Sequence, residues 1–173
     1  MSRLIGPVAL VTGASSGIGE ATARALAAQG ATVIVAARRL ERLERLAEDV
    51  GGVAVAVDVT DREQAFAAVG RAVEEQGRLD IVVNAAGVML NGPIVGAPID
   101  EWERMVDINV KGTLYIVHAA PPYLLEAAHS RRATSPTWST SARSQGASRT
   151  AVPASTTPPS SASTSSASRC ARR

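Results

Sequence analysis

Cysteine, histidine and lysine are scarce in this sequence. Among the 173 residues there is one cysteine, Cys170, so no internal disulfide can form and a reducing cytoplasm is the expected location. Cys170 has no neighbouring histidine or acid, and we expect an unreactive thiol there. The two histidines, His118 and His129, have no partners at metal-ligand spacing. The sequence therefore predicts a cytoplasmic protein without a metal site.

Long apolar runs are also missing. No stretch approaches the roughly 20 apolar residues that cross a bilayer, and Met1 to Ala9 has no secretory hydrophobic segment. Hydrophobic residues nevertheless make up 46% of the chain, which is enough for one globular domain with its own core. We expect one soluble domain that has no membrane partner.

Acidic residues are absent from the last part of the chain. Residues 1–132 carry 13 basic and 16 acidic side chains, hence a net charge of −3, whereas residues 133–173 carry five arginines and no acid. The basic isoelectric point thus comes from the C-terminal part. Nucleic-acid binding needs basic residues on a folded face with aromatic or motif support. None is visible, and we expect no nucleic-acid partner.

Large apolar residues are scarce in the same C-terminal part. Of residues 133–173, 19 are serine or threonine and four are proline. Such a segment buries too little surface to offset an ordering entropy of ~1–2 kcal/mol per residue. We therefore divide the chain into a folded domain, residues 1–132, and a tail, residues 133–173, which we expect to be disordered.

Residues 1–132 alternate between short apolar strands and helices. The predicted strands are Val8–Val11, Ala31–Ala37, Val53–Val59 and Leu79–Gly87. The predicted helices are Ile18–Gln29, Leu40–Val50, Asp61–Gln76 (capped by Asp61 or Thr60) and about Asp100–Ala128, the last interrupted or kinked by Pro121 and Pro122. Strands that are apolar on both faces and alternate with helices indicate an α/β fold with a parallel sheet covered on both sides.

A glycine-rich turn, "TGASSGIG" from Thr12 to Gly19, joins the first strand to the first helix. Gly13 would allow the tight turn, Gly17 would let the backbone approach a pyrophosphate, and Gly19 would let the helix pack closely on the strand. The N-terminus of the helix would then face the anion. The alternative is an ordinary β–α turn that is rich in small residues.

The spacing TGxxxGxG in this turn resembles that of the short-chain dehydrogenase/reductase family. Three further motifs follow in the order of that family: Asp58-Val59 after the third strand, "NAAG" from Asn84 to Gly87 after the fourth, and "INVKG" with Asn109. The resemblance covers about residues 4–132. It implies a Rossmann-type doubly wound fold, hydride transfer between NAD(P) and a small carbonyl or alcohol substrate, and homo-oligomers among intact members.

The resemblance also bears on the choice of cofactor. In the family, an acid at the end of the second strand hydrogen-bonds the adenosine ribose and excludes a 2′-phosphate, but this chain has Ala37 there, followed by Arg38 and Arg39. A guanidinium can hold a phosphate through paired charge-assisted hydrogen bonds, so NADP is favoured over NAD. The alternative is that both arginines are solvated residues at the start of a helix.

Further cofactor contacts follow from the same resemblance. Asp58 would contact the adenine amino group, Val59 would pack on the ring, and Asn84 would support the ribose side and the neighbouring strands. Asp58 could instead cap the next turn, and Asn84 could satisfy buried backbone groups. The complete set of predicted cofactor-binding residues is Gly13, Ser15, Ser16, Gly17, Ile18, Gly19, Arg38, Arg39, Asp58, Val59, Asn84, Ala85, Ala86 and Gly87.

The catalytic residues that the family uses are mostly missing. Asn109 is the one member of the catalytic tetrad that is present, and in the family it interrupts helical hydrogen bonding and holds a water of the proton relay. The family's general acid/base is the tyrosine of a Tyr-x-x-x-Lys motif, and a serine orients the carbonyl. Here Tyr115 and Tyr123 are followed at that spacing by alanine. We therefore expect this chain to be inactive as it stands.

A shifted reading frame is one explanation for the missing motif. The chain has 17 arginines and one lysine, which suggests a GC-rich gene, and plausible codons for Ser155 to Ser163 read in another frame give "VYNATKFGV". That peptide contains the family's tyrosine and lysine at their usual spacing. We infer a frame shift near Arg132. Stop codons in the alternative frame of the gene, or the lack of this peptide there, would refute the inference.

Two expectations follow for the folded domain. The sheet would have the order 3-2-1-4, and Leu79 to Asn84, interior in the family, would become an aggregation-prone edge strand. The long last helix would also lose its partner in the family's four-helix dimer interface. The alternative function is a non-catalytic NADP-binding or interaction module whose serine- and threonine-rich tail is genuine and regulatory.

Overall fold

The computed structural model describes residues 6–134 of the 173-residue chain. The described part contains four strands, β1 Val8–Thr12, β2 Thr32–Ala37, β3 Val53–Ala56 and β4 Ile81–Asn84. Its helices are α1 Gly17–Ala28, α2 Leu40–Val50, α3 Arg62–Gln76, α4 Ile99–Val106, a π-helical segment Asp107–Gly112, α5 Thr113–Ala119 and α6 Pro121–Thr134. Residues 135–173, which make up most of the predicted tail 133–173 and include Cys170, lie outside the described residues.

The four strands form one parallel sheet in the order β3-β2-β1-β4, which confirms the predicted order. Strand β1 pairs with β2 on one side and with β4 on the other, so that Thr12 lies opposite both Ala36 and Asn84. All five residues of β1 are buried, as a central strand covered on both faces requires.

Helices cover the sheet on both faces. Successive strand residues belong alternately to two separate cores, one on each face. Leu10 of β1 belongs to a core that includes Val69 of α3 and Ile116 of α5. Its neighbour Val11 belongs to a second core with Ala23 of α1 and Leu43 of α2. The predicted doubly wound α/β class is therefore confirmed, and the connections between consecutive strands place their carboxyl ends at one edge of the sheet.

Several element bounds differ from the prediction. Strand β3 ends at Ala56, and β4 spans only Ile81–Asn84, so both are shorter than predicted. Asp61 is the residue that caps α3, and it accepts hydrogen bonds from the backbone N–H groups of Glu63 and Gln64 at 2.9 and 3.0 Å. Those hydrogen bonds, with that of Gln64 the largest cause, hold the pKa of Asp61 below its ordinary value.

The last predicted helix is divided into shorter pieces. Helix α4, the π-helical segment and α5 follow one another without a break from Ile99 to Ala119, and a separate helix, α6, begins at Pro121. Proline suits the first turn of a helix because its missing N–H would have no helical partner there. The "PPY" sequence therefore starts a new helix, where the prediction had one helix interrupted.

Among the described residues, no helix is both long and apolar enough to pass through a bilayer.

Candidate cofactor site

A cavity of about 390 Å³ opens at the carboxyl ends of the strands. This is where ligands bind in open parallel sheets, because the loops after the strands diverge there on either side of β1. The residues that line the cavity are Gly13, Ser15, Ser16, Ile18, Ala37, Arg38, Arg39, Val57, Asp58, Val59, Ala85, Ala86, Gly87, Val88 and Ile108. Five parts of the chain that are separate in sequence thus meet at one site.

The glycines of the turn have distinct structural reasons. Gly13 has a φ of +67°, and a Cβ there would lie 2.5 Å from backbone atoms of Ala85 and Ala86. Gly17 also has a positive φ, +58°, but faces open space. A Cβ on Gly19 would lie 2.5 Å from the carbonyl oxygen of Gly13, so its close contact is with the turn itself. The positive φ of Gly13 and Gly17 and the close backbone contact of Gly19 favour glycine at all three positions. The approach of Gly17 to a pyrophosphate stays a prediction.

Helix α1 begins in the cavity without a side-chain cap. Ser16 occupies the N-cap position with an extended backbone, yet its hydroxyl accepts no hydrogen bond from the first turn of its own helix. The first backbone N–H groups of a helix have no intrahelical partners and carry a partial positive charge. The exposed Ile18, with 82% of its surface accessible, lies in this turn at the cavity wall. The arrangement suits an anion.

The two arginines differ in their contacts. The guanidinium of Arg39 donates from Nη2 to the hydroxyls of Ser15 and Ser16, both at 2.8 Å, and from Nε to Ser15 Oγ at 3.1 Å. Arg38 is exposed, lines the cavity and has no hydrogen-bond or ion-pair partner within the part of the chain that the structure describes. The end of β2 thus brings two positive charges to the cavity and, with Ala37, no acid.

Asp58 and Val59 lie on the opposite wall from the glycine turn. Asp58 Oδ1 accepts hydrogen bonds from the backbone N–H and the hydroxyl of Thr60, at 3.0 and 2.8 Å, so this carboxylate caps the local turn. The same residue lines the cavity. Val59 is buried, and its Cγ2 lies 2.7 Å from where a Cβ on Gly112 would be. The turn that holds Asp58 is therefore anchored on the π-helical segment.

The "NAAG" motif is divided between two tasks. Asn84 Oδ1 accepts from the hydroxyl of Thr12 at 3.4 Å, which links the ends of β4 and β1. Ala85, Ala86 and Gly87 instead line the cavity. The predicted support of neighbouring strands by Asn84 is therefore visible, and its contact with a ribose stays a prediction.

Asn109 lies in the π-helical segment, and its side-chain amide forms two hydrogen bonds with the backbone of Val88. Its Oδ1 accepts from the Val88 N–H at 2.9 Å, and its Nδ2 donates to the Val88 carbonyl at 2.8 Å. Single π-helical turns occur frequently at functional sites. The predicted interruption of helical hydrogen bonding is thus present at Asn109, and its role in a proton relay stays a prediction.

Sequence reasoning missed part of this wall. Val88 and Ile108 line the cavity, and the signal that could have found them is their position next to Gly87 and Asn109.

Lys111, the only lysine, lies 2.7 Å from Asp107, and its hydrogen bond to that carboxylate raises the pKa of Lys111. Among the described residues, no group of three or more histidine, cysteine, aspartate or glutamate side chains could hold a metal ion.

The fold is of the Rossmann type, and a glycine turn, an uncapped helix N-terminus and the strand ends surround one cavity in it. The family model of short chain dehydrogenases matches residues 7–133. The chain therefore belongs to the short-chain dehydrogenase family.

Two relatives from staphylococci are described as uncharacterized oxidoreductases. The one from Staphylococcus aureus (strain MW2) is 45% identical over 129 residues, which cover 73% of this chain and 56% of the relative. The one from Staphylococcus epidermidis is 40% identical over 128 residues, with the same shares covered. The chain thus spans little more than half the length of these relatives.

Solved structures are similar over the same region. A short chain dehydrogenase from Mycobacterium smegmatis has 35% sequence identity and a TM-score of 0.65, covering 69% of this chain and 52% of the other. A 3-ketoacyl-ACP reductase from Sinorhizobium meliloti 1021 has 42% identity and a TM-score of 0.65, covering 70% of this chain and 50% of the other.

Proposed function

We propose that residues 1–132 are the cofactor-binding domain of an NADP(H)-dependent short-chain dehydrogenase/reductase. The observation that carries the proposal is the meeting of the uncapped start of α1 with two guanidinium groups in one cavity. The donor set fits a phosphorylated dinucleotide, because backbone N–H groups suit a pyrophosphate and arginine suits an additional phosphate. The predicted residues from Gly13 to Gly87 would hold the cofactor in this cavity.

The preference for NADP over NAD rests on the end of β2. Ala37 places no carboxylate beside Arg38 and Arg39, so nothing there repels a 2′-phosphate. A ribose hydroxyl in its place would leave the guanidinium of Arg38 without a charged partner. Asp58 and Val59 would then contact the adenine from the neighbouring wall, as the resemblance implies.

Hydride transfer to a carbonyl carbon, or from an alcohol carbon, is the reaction class that we propose for the complete enzyme. A bound nicotinamide supplies the hydride chemistry. The similar structure named as a 3-ketoacyl-ACP reductase supports a carbonyl substrate. The described residues would bind and orient the cofactor, and Asn109 fixes the backbone at Val88 beside it.

A proton donor is the missing part of this site. The sequence has no Tyr-x-x-x-Lys, and Lys111 is bound to Asp107 on an exposed helix surface. We therefore propose that this chain binds NADP(H) but does not reduce a ketone by the family's mechanism. The intact enzyme would be a cytoplasmic homo-oligomer.

The experiment compares this chain with a version whose reading frame is restored after Arg132. NADPH and NADH are titrated by fluorescence, and NADPH consumption is followed with generic ketones. We expect both versions to bind NADPH more tightly than NADH, and only the restored version to consume it. Ketone reduction by the unmodified chain would overturn the proposed inactivity, and failure of both versions to bind would overturn the cofactor assignment.

A second candidate function is a non-catalytic NADP-binding or interaction module with a regulatory tail. The observation in its favour is that 11 of the 14 predicted cofactor-binding residues line the cavity although the sequence has no Tyr-x-x-x-Lys. The gene sequence separates the two proposals, because only the first predicts the Tyr-x-x-x-Lys peptide in the alternative frame. A tail conserved in related genes would favour the second.

A further inference from the structure

Arg39 ties the end of β2 to the glycine turn through its side chain alone. It lies at the N-cap position of α2 but makes no side-chain cap there. Its guanidinium turns to the turn residues and holds Ser15 Oγ and Ser16 Oγ at 2.8 Å, with the Ser15 carbonyl at 3.4 Å. Both serine oxygens thereby act as acceptors for one cation.

This contact has a consequence for Ser16. Serine with an extended backbone at an N-cap usually accepts a hydrogen bond from the second or third helical N–H, which here belong to Ile18 and Gly19. Ser16 has that backbone, with φ −173° and ψ 166°, but no such hydrogen bond. Its hydroxyl is turned toward Arg39 instead. The N–H groups that Ser16 would otherwise occupy stay available to the cavity.

We propose that Arg39 is a positioning residue that keeps the N-terminus of α1 uncapped for the phosphates of the dinucleotide. The inference rests on the proposed cofactor-binding function and divides the work of the two arginines. Arg38, which has no partner among the described residues, would distinguish NADP from NAD. Arg39 would strengthen the binding of both dinucleotides equally, because it acts through Ser16 on the pyrophosphate end that they share.

The first test measures the dissociation constants of NADPH and NADH for the full chain and its variants. In Arg39→Ala the Ser16 hydroxyl is released to cap α1 and competes with the phosphates, so we expect both constants to rise by a similar factor of about five. In Arg38→Ala we expect the constant for NADPH alone to rise. A loss confined to NADPH in Arg39→Ala would show direct contact with the 2′-phosphate and would overturn the proposal.

A second substitution tests whether Ser16 transmits the effect. Alanine cannot cap a helix, so Ser16→Ala in the Arg39→Ala background should restore most of the lost affinity for both dinucleotides. Ser16→Ala alone should leave the amide hydrogen exchange of Ile18 and Gly19 at its original rate, because the hydroxyl is already held away from these amides by Arg39. Absence of rescue in the double variant would assign Arg39 a merely structural role and overturn the proposal.

A third measurement needs no cofactor. Amide hydrogen exchange at Ile18 and Gly19 reports whether those N–H groups are capped. We expect exchange there to slow in Arg39→Ala and to return to the original rate in the double variant. If the chain bound neither dinucleotide, the proposed function would fail, while unchanged exchange in Arg39→Ala would refute the role of Arg39 independently.

The matched control is Arg42→Ala on the exposed surface of α2. It removes the same charge from the same helix without touching the turn. We expect its amide exchange at Ile18 and Gly19, and both dissociation constants, to equal those of the unmodified chain. Changes as large as those of Arg39→Ala would show a general charge effect and would contradict the proposal.

Discussion

The two parts of the described domain differ in how their apolar residues are covered. In residues 6–80, helices α1, α2 and α3 cover both faces of β1, β2 and β3, and few large apolar side chains are exposed. In residues 81–130, one strand and the segments from α4 to α6 leave ten such side chains exposed: Met89, Ile94, Val95, Ile99, Trp102, Val106, Val110, Leu114, Val117 and Leu125. Residues 6–80 therefore leave few large apolar side chains exposed to solvent, whereas residues 81–130 leave many.

The exposed side chains of the second part are not scattered. Trp102, Val106, Val110, Leu114 and Val117, which we call the 102–117 stripe, recur at helical spacing along one continuous helical stretch. Strand β4 precedes the 102–117 stripe in the chain. Among the described residues, β4 pairs only with β1. The matched relatives are longer than the aligned segment.

The largest expected effect lies in the covered part. Leu43 of α2 is fully buried, so Leu43→Ala should lower the free energy of unfolding by about 3 kcal/mol. Leu114 is 59% exposed, and Leu114→Ala should change it by less than about 0.5 kcal/mol. Urea unfolding followed by circular dichroism measures both. Equal losses in the two variants would contradict the contrast between the two parts.

The boundary between the two parts contains a partly buried ion pair, Arg78–Asp80, that should give the next largest effect. Asp80 accepts from the Val8 N–H at 2.8 Å and from Arg78 Nε at 2.8 Å, and the hydrogen bond to Asp80 raises the pKa of Arg78. Asp80→Asn should lower the free energy of unfolding by about 2 kcal/mol, because Arg78 loses its charged partner. Arg71→Gln, which removes an exposed ion pair with Glu75, is the control and should have little effect. An unchanged free energy of unfolding in Asp80→Asn would show that the ion pair does not join β1 to β4.

Self-association should depend on the uncovered part alone. Replacing Val110 and Leu114 by lysine puts two charges on the 102–117 stripe, which should shift the chain toward monomer in light scattering after size exclusion. The free energy of unfolding should stay within about 1 kcal/mol, since both side chains are at least half exposed. Replacing Arg42 and Arg45 on α2 by alanine is the control for a change of surface charge. An unchanged particle size in the lysine variant would show that the stripe does not cause association.

The smallest expected effect concerns the cap of α3 in the covered part. Because the folded-state pKa of Asp61 is lowered, its contribution to stability is present at pH values above about 4 and is lost as the pH falls through the lowered pKa. Asp61→Asn keeps a capping oxygen but removes the titration. We expect the difference in melting temperature between the two proteins to shrink between pH 5 and pH 2 by roughly its full value. A constant difference over that range would contradict the assignment.

The covered part was also the part that sequence could predict. Its strands are apolar on both faces, and its helices end at glycines. From Val8 to Gln76 the hydrophobic periodicity and the glycines therefore indicate the same helices and strands. The same signals predicted one long helix between Asp100 and Ala128, where the structure has several helical pieces. A π-helical turn and a helix that begins at proline have nearly the same hydrophobic periodicity as one long helix, so the sequence pattern does not distinguish them. The hydrogen bonds between Asn109 and Val88 could not be predicted, since only the fold brings these two residues together.

The site residues divide in the same way. The glycines and the positions of Arg38 and Arg39 follow from motif spacing. The hydrogen bonds from Arg39 to Ser15 and Ser16 do not, because side-chain direction at the start of α2 depends on the turn packed next to it. Motif reading thus finds which residues surround the cavity, and the structure adds which of them bind one another.

The contact between Gly13 and Ala85 has a consequence for the time course of folding. These two residues are far apart in sequence, yet a single added carbon would collide with the Ala85 backbone at 2.5 Å. The cavity therefore exists only after β4 has docked beside β1, which closes a long loop and is slow compared with forming a helix. In a refolding experiment, binding of the dinucleotide should consequently appear after most of the helical signal, so the ligand reports the last native contacts of the sheet.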